Sequence, residues 1–233
     1  MKRFIPYHQL PDEGIPDSVA VYGPGIRLWH WMSALMVAVL CLTGYFIGVP
    51  PPSVLGDTSS LYVMGWIRFF HLASGYLLTI LAVMRVWLIF VEKGITYHLF
   101  APAIWRAEWL DGFMRQIRWN LLMISRPKRY VGLNPLAGTA MLLLFVLPTC
   151  VTIITGFAMY AEVSGHDSWQ YWLFGWVTSI FGNTMDLHVI HRLAMWLIVF
   201  FSFIHVYISV REDILSRQTM ISSMLSGERQ FRR

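Results

Sequence analysis

The chain has 233 residues, of which 56% are hydrophobic and only 13% are charged, with a formal net charge of +5. An ordinary soluble domain carries about 25% charged residues, and a soluble fold of this length would leave too much apolar side chain in contact with water. The totals therefore predict an integral membrane protein. Cys41 and Cys150 lie separately in apolar runs, which excludes a disulfide framework and clustered iron–sulfur ligands.

The N-terminal segment of residues 1–20 is mostly polar and is interrupted by Pro6, Pro11 and Pro16. We predict a flexible tail here. The first apolar run, which follows this segment, is too long for the hydrophobic region of a signal peptide and lacks a convincing cleavage site. It predicts an uncleaved membrane helix.

Four apolar runs reach the length of about 20 residues that a helix needs to cross the hydrocarbon core. They predict an all-α membrane protein, a single domain built as a four-helix bundle, with spans at about residues 28–47, 66–91, 136–160 and 187–210. A fifth apolar run, Trp169–Phe181, is too short to span the membrane. Its tryptophan and tyrosine residues are typical of a segment at the membrane interface.

The basic residues predict the orientation of these spans. Fifteen of the 18 lysine and arginine residues lie in the N-terminal tail, the loop between the second and third spans, and the C-terminal tail. The other two loops, residues 48–65 and 161–186, contain none. The positive-inside rule then places both termini in the cytoplasm. The positive net charge follows from this topology, so it does not indicate binding of nucleic acid.

The long cytoplasmic loop contains a second pattern. Trp105, Trp109, Phe113 and Ile117 recur every four residues, which predicts an amphipathic helix. Such a helix fits the inner membrane surface. A helix that docks on a soluble partner would show the same spacing, so both interpretations stay open.

The histidines are the candidate functional residues of the sequence. Of the eight, His8, His98 and His166 lie in polar or loop segments and are predicted to be solvated. Ionisable residues inside a membrane are costly and therefore indicate function. The remaining five lie within or at the ends of spans: His30, His71, His188, His191 and His205.

The spacing and topology predict two histidine pairs. His191 and His205 are 14 residues apart on the fourth span, which places them within roughly 40° of one helix face and about 21 Å apart along the axis. His188 points about 100° away from His205 and is the weaker candidate. The topology then pairs His30 with His205 near the inner surface and His71 with His191 near the outer surface.

Two imidazoles fill both axial positions of a haem, so each pair predicts one haem b with a role in electron transfer. A zinc site favours a closed tetrahedron or an open water position, often with carboxylates or thiolates. A metal-ion transporter is the alternative from another functional class. It would place acidic residues or broken helices near the midplane, and the spans contain few of either.

Other span residues lie at the levels of the two pairs. A 14-residue step from His30 reaches Gly44, which would leave room for a macrocycle at the outer level. Gly138 and Gly156 would flank both levels, although glycine also serves helix packing. Three arginines are candidates for contacts with haem propionates: Arg85, Arg68 and Arg192. For Arg68 and Arg192 the alternative is that the side chain snorkels to the membrane interface.

Seven segments together carry a resemblance to a known family. They are RLWHW at 27–31, LTGYFIG at 42–48, MGWIRFFH at 64–71, RPKRYVGLNPLA at 126–137, ITGFAMY at 154–160, DLHVIHRLAMW at 186–196 and HVYISVREDILSRQTMISSMLSG at 205–227. With these segments the chain resembles the b-type cytochrome subunit of membrane-bound nickel–iron (uptake) hydrogenases.

The resemblance implies partners and a direction of electron flow. Such subunits anchor the hydrogenase small and large subunits on the outer face of the bacterial cytoplasmic (inner) membrane. They pass electrons to a quinone, either menaquinone or ubiquinone, within the respiratory chain, and have no hydrogenase active site of their own. Related two-haem subunits of formate dehydrogenases use the helix pairing derived above. A formate dehydrogenase, or another reductase on the outer face, is therefore the alternative partner.

Overall fold

The computed structural model describes residues 18–51, 62–91, 106–124, 130, 133–215 and 219–230. Most of these residues are helical. In chain order the elements are β1 (Ser18–Ala20), α1 (Pro24–Gly48), α2 (Val63–Val91), α3 (Ala107–Asn120), α4 (Pro135–Met141), a π-helical turn (Leu142–Val146), α5 (Leu147–Ser164), α6 (Trp169–Phe181), α7 (Thr184–Leu215), α8 (Met220–Ser226) and β2 (Glu228–Gln230).

Four of the described helical segments are long and apolar enough to cross a membrane. They are Pro24–Gly48, Val63–Leu88, Pro135–Ser164 and Thr184–Leu215, with mean hydropathies of 1.8, 1.6, 2.2 and 2.2. Each predicted span lies inside one of the helices α1, α2, α4–α5 and α7. The predictions of an all-α membrane protein and of four spanning helices are confirmed.

The distribution of side chains on these helices suits lipid better than water. Val83 and Phe203 are 66% and 75% exposed, whereas Ser33, Ser74 and Thr155 are buried. In water, exposed apolar side chains on this scale would be unfavourable. In a bilayer, apolar side chains face the lipid, and small and polar ones pack between helices.

The third span is not a continuous α-helix. Asn134 caps its start by accepting a hydrogen bond of 2.8 Å from the Ala137 amide, and Pro135 occupies the first turn. The π-helical turn Leu142–Val146 follows and ends just before Pro148. Proline lacks an amide proton, and its ring clashes with the carbonyl of the residue four positions earlier. A π-turn at this place accommodates the ring within the helix.

The short apolar run forms helix α6 with the bounds that the sequence predicts, Trp169–Phe181. The Ser168 hydroxyl caps its start by accepting a bond of 3.2 Å from the Tyr171 amide. The helix ends at Gly182, whose φ of +73° favours glycine. Val177 packs with Ala158 and Leu187 in a small core.

The amphipathic pattern of the long loop forms helix α3, as predicted, while Trp105 lies outside the described residues. Its buried residues are Trp109, Gly112, Gln116 and Trp119. The helix packs against α4, and the Trp119 indole donates a hydrogen bond of 2.5 Å to the Glu212 carboxylate at the end of α7. The apolar face thus contacts the chain itself. Its position on the membrane surface stays a prediction.

The described parts of the chain divide into two compact units. One takes in Met1–Arg27, Ile89–Val151 and Trp196–Arg233, and the other Leu28–Leu88 and Thr152–Met195. The first contains strands β1 and β2, which pair antiparallel with Ser18 opposite Gln230. The last three residues of the segment predicted as a flexible tail therefore form β1. The prediction of a single domain stays a prediction.

Candidate functional site

The predicted outer pair is brought together inside the second unit. His71 on α2 and His191 on α7 have ring centres 6.4 Å apart, with an angle of 63° between the ring planes. Two imidazoles on opposite sides of one metal ion, each bound at about 2 Å, have ring centres roughly 6 Å apart. The separation therefore suits one metal ion held between the two rings.

A threonine hydroxyl lies beside each ring. Thr43 Oγ1 on α1 is 2.9 Å from His71 Nδ1, and Thr155 Oγ1 on α5 is 2.8 Å from His191 Nδ1. The Thr43 hydroxyl donates its single proton to the Val39 carbonyl at 2.7 Å. Its oxygen can then accept a proton carried by His71 Nδ1. This tautomer leaves the Nε2 lone pair of His71 to bind a metal.

The hydroxyl of Thr155 makes a matching contact. It reaches the Thr152 carbonyl of its own helix at 3.4 Å while it lies beside His191 Nδ1. Sequence reasoning did not single out Thr43 or Thr155. The available signal was the Thr-Gly dipeptide that LTGYFIG and ITGFAMY share. Only the structure shows that each dipeptide lies against a histidine.

The glycine of each dipeptide allows the close approach of its helix. A Cβ atom on Gly44 would lie 3.1 Å from His71 Cε1 and 4.0 Å from the Met195 sulfur. A Cβ atom on Gly156 would lie 3.4 Å from His191 Cε1. Gly44 therefore lies at the level of His71, where the 14-residue step places it. Gly138, by contrast, has open space around the position of a Cβ atom.

The histidines outside the two predicted pairs take no part in this contact where the structure describes them. His188 is exposed, and its Nδ1–H donates to the Thr184 carbonyl at 2.8 Å, one turn earlier on α7. His166 is exposed and lies against the Tyr171 ring with a centroid distance of 4.2 Å. His8 and His98 lie outside the described residues.

The three candidate arginines occupy different positions. The Arg192 guanidinium lies against the end of α1, where a Cβ atom on Gly48 would approach it to 2.7 Å. Arg68 is exposed and lies one turn before His71 on α2. Arg85 is buried, and its guanidinium carbon lies 5.2 Å from the centre of the Trp29 ring. Their contacts with propionates stay predictions.

The residues of the predicted inner pair fall in different units, His30 in the second and His205 in the first. The His30 ring makes an edge contact with Trp31 at 5.1 Å, and the His205 ring stacks on Phe201 at 5.5 Å. Their pairing stays a prediction. Near His30, the Trp29 indole donates to the Leu81 carbonyl at 2.8 Å and so joins the first part of α1 to the C-terminal half of α2.

His71 and His191 would be suited to hold a metal ion from opposite sides. Within the ranges that the structure describes, no group of three or more histidine, cysteine or acidic residues could hold a metal ion. Two neutral imidazoles alone do not complete the coordination of a tetrahedral or octahedral ion. They do complete a metal whose equatorial ligands come from a planar macrocycle.

The comparisons with known proteins agree with this chemistry. Residues 21–227 match the model of a family described as prokaryotic cytochrome b561. A protein of Rhizobium leguminosarum bv. viciae, described as a probable Ni/Fe-hydrogenase B-type cytochrome subunit, is 46% identical over 93% of this chain and 90% of its own length. An Escherichia coli K12 protein, described as a probable Ni/Fe-hydrogenase 1 B-type cytochrome subunit, is 43% identical over 90% of this chain and 89% of its own.

The predicted resemblance to hydrogenase b-type cytochrome subunits is therefore confirmed. The matched region contains the four described helices that are long and apolar enough to span a membrane, together with His30, His71, His191 and His205. The chain belongs to the prokaryotic cytochrome b561 family.

Proposed function

We propose that this chain anchors a periplasmic nickel–iron hydrogenase to the bacterial inner membrane and conducts its electrons through two b haems to the quinone pool. The observation that carries the proposal is the His71–His191 pair, with ring centres 6.4 Å apart and a threonine oxygen on each Nδ1. The names of the relatives supply the partner, since both proteins described above are called hydrogenase subunits.

The residues around the pair fit a haem. If Nε2 of each ring binds the iron, Nδ1 carries the proton and can donate it to the threonine on a neighbouring helix. Gly44 and Gly156 keep α1 and α5 free of a side chain beside the rings. A bound haem with two imidazole ligands supplies one-electron transfer and has no open position for a substrate. The protein's task at this site is to hold, orient and insulate the ligands.

For the second haem we propose the ligands His30 and His205. This assignment rests on the sequence, from the 14-residue spacing of His191 and His205 and from the orientation of the spans. Arg85 is the candidate for a propionate contact at this level. Quinone would be reduced near the cytoplasmic side, where it takes up protons.

Purification of the tagged chain from its native membrane tests the proposal as a whole. We expect two b haems per chain in a reduced-minus-oxidised spectrum, together with hydrogenase small and large subunits and hydrogen-dependent quinone reduction. A formate dehydrogenase in their place would favour the alternative partner. A pure chain without any haem absorbance would contradict the proposal and favour a metal-ion transporter.

Topology gives a separate prediction. A reporter fused after Arg233 should report a cytoplasmic location, and one inserted at His166, which is exposed, should report an external one. The reason is the absence of lysine and arginine from residues 161–186 and their abundance in the C-terminal tail. Alkaline phosphatase and a fluorescent protein that folds only in the cytoplasm are suitable reporters. The opposite result would reverse the order of the two haems.

Gly44 offers a test of the space beside the ring. Gly44→Val should displace His71, because even a Cβ atom would lie 3.1 Å from its Cε1. Overpacking of this kind costs about 1–3 kcal/mol, so haem content of the purified chain and its thermal stability should both fall. Gly75→Val is the matched control, since nothing lies within 4 Å of a Cβ atom at Gly75. Equal loss in the two variants would contradict a specific need for glycine at residue 44.

A further inference from the structure

Two threonines on different helices make the same kind of contact with a histidine. Thr43 and Thr155 each approach the Nδ1 atom of a histidine on another helix, at 2.9 and 2.8 Å. Elsewhere in the same unit, the Thr79 hydroxyl simply donates to the Gly75 carbonyl of its own helix at 2.8 Å. An internal bond of the second kind uses the one proton that a threonine hydroxyl can donate, and it needs no partner on another helix. The repeated contact with a histidine therefore calls for a role.

We propose that Thr43 and Thr155 are positioning residues that fix the tautomer and ring orientation of His71 and His191 and thereby set the reduction potential of the haem between them. The inference rests on the proposed function, because it requires a haem at this pair. It adds two residues that touch neither iron nor macrocycle and act only through the ligands.

The chemistry follows from the direction of the hydrogen bonds. If Nε2 of His71 binds the iron, Nδ1 carries the proton, so the Thr43 oxygen accepts from it while the Thr43 hydroxyl donates to the Val39 carbonyl. This donation makes the oxygen a better acceptor, since hydrogen bonds in a chain polarise one another. An acceptor on Nδ1–H raises the basicity of Nε2. A more basic imidazole stabilises oxidised iron, so the threonine lowers the reduction potential.

The geometry of the pair follows from the same contacts. Each ring can rotate about its Cβ–Cγ bond unless a partner holds Nδ1. Thr43 holds one ring from α1 and Thr155 holds the other from α5, with a resulting angle of 63° between the planes. The electron paramagnetic resonance (EPR) spectrum of a low-spin haem with two imidazole ligands depends on this angle. It therefore reports ring orientation independently of catalytic activity.

The test uses the full hydrogenase–cytochrome complex with Thr43→Val, Thr155→Val and the two serine variants, Thr43→Ser and Thr155→Ser. Valine keeps the branched shape without the oxygen, and serine keeps the oxygen. Loss of the hydrogen-bond partner of a metal-bound histidine typically lowers metal affinity or activity by a factor of about 10–100. At the lower end, each valine variant should raise the ratio of reduced to oxidised outer haem about tenfold at a fixed potential, which is about 59 mV for one electron.

The inner haem is the internal reference in every potentiometric titration, and Thr79→Val is the matched control for loss of a hydroxyl within the same unit. Support requires a positive shift and altered EPR g values in the valine variants, with wild-type values in the serine variants and in Thr79→Val. An unchanged potential and spectrum with the outer haem in place would overturn the inference but not the proposed function. Loss of the haem from valine and serine variants alike would also overturn it, since the oxygen would then not be the relevant group. Retention of both haems after His71→Ala would instead overturn the proposed function.

Discussion

Replacing His71 or His191 by alanine is expected to halve the haem b content of the purified chain, from two haems to one. In the proposed site each ring would supply one of the two axial bonds, and a haem left with a single imidazole would have an open position for exchange. The remaining histidine still has its threonine partner but no opposite ligand. Haem content is measured as the pyridine haemochrome against protein mass, and the surviving haem should titrate as one component.

His188→Ala is the matched control on α7. It lies three residues from His191, it is exposed, and its Nδ1–H is bonded to the Thr184 carbonyl. This variant should retain both haems. The assignment of ligands on α7 would be wrong if His188→Ala lost a haem while His191→Ala kept two.

The length of the apolar runs made the four spanning helices predictable. A run of about 20 apolar residues has few alternatives to a spanning helix, so each predicted span lies inside a described helix. The sequence predicted an interfacial segment at Trp169–Phe181, and helix α6 has the same bounds, with a Ser168 cap and a left-handed Gly182 at its ends. The 14-residue step placed Gly44 at the level of His71 because both helices rise by a fixed amount per residue.

Apart from the His71–His191 pair, contacts between elements distant in the chain were the part that the sequence did not reveal. The Thr43 and Thr155 hydroxyls look like ordinary helical threonines until the histidine of another helix is placed beside them. The strand pair β1–β2 joins residues about 210 positions apart, and no local pattern indicates such a pairing. Trp119 was missed because it falls outside the four-residue repeat, although it donates to Glu212.

Loss of the proposed inner ligand pair is expected to have the other large effect, on electron transfer to quinone. An electron that moves inward from a periplasmic hydrogenase approaches the negative side of the membrane, which costs about 2.3 kcal/mol per charge per 100 mV. The downhill transfer from hydrogen to quinone can supply this free energy. If the quinone then takes its protons from the cytoplasm, hydrogen oxidation by the complex separates charge. This coupling requires a route that passes through the inner haem.

His30→Ala should therefore abolish hydrogen-dependent quinone reduction, while hydrogen oxidation with an artificial dye continues at the wild-type rate. The variant would remove one ligand of the proposed inner haem and leave the active site of the proposed hydrogenase partner intact. The measurement compares the two acceptors side by side in membranes that contain equal amounts of hydrogenase. Quinone reduction that persists after the inner haem is lost would place the quinone site at the outer haem, on the His71–His191 side. Charge separation would then have to come from proton movement instead of electron movement, because the electron would no longer cross the membrane.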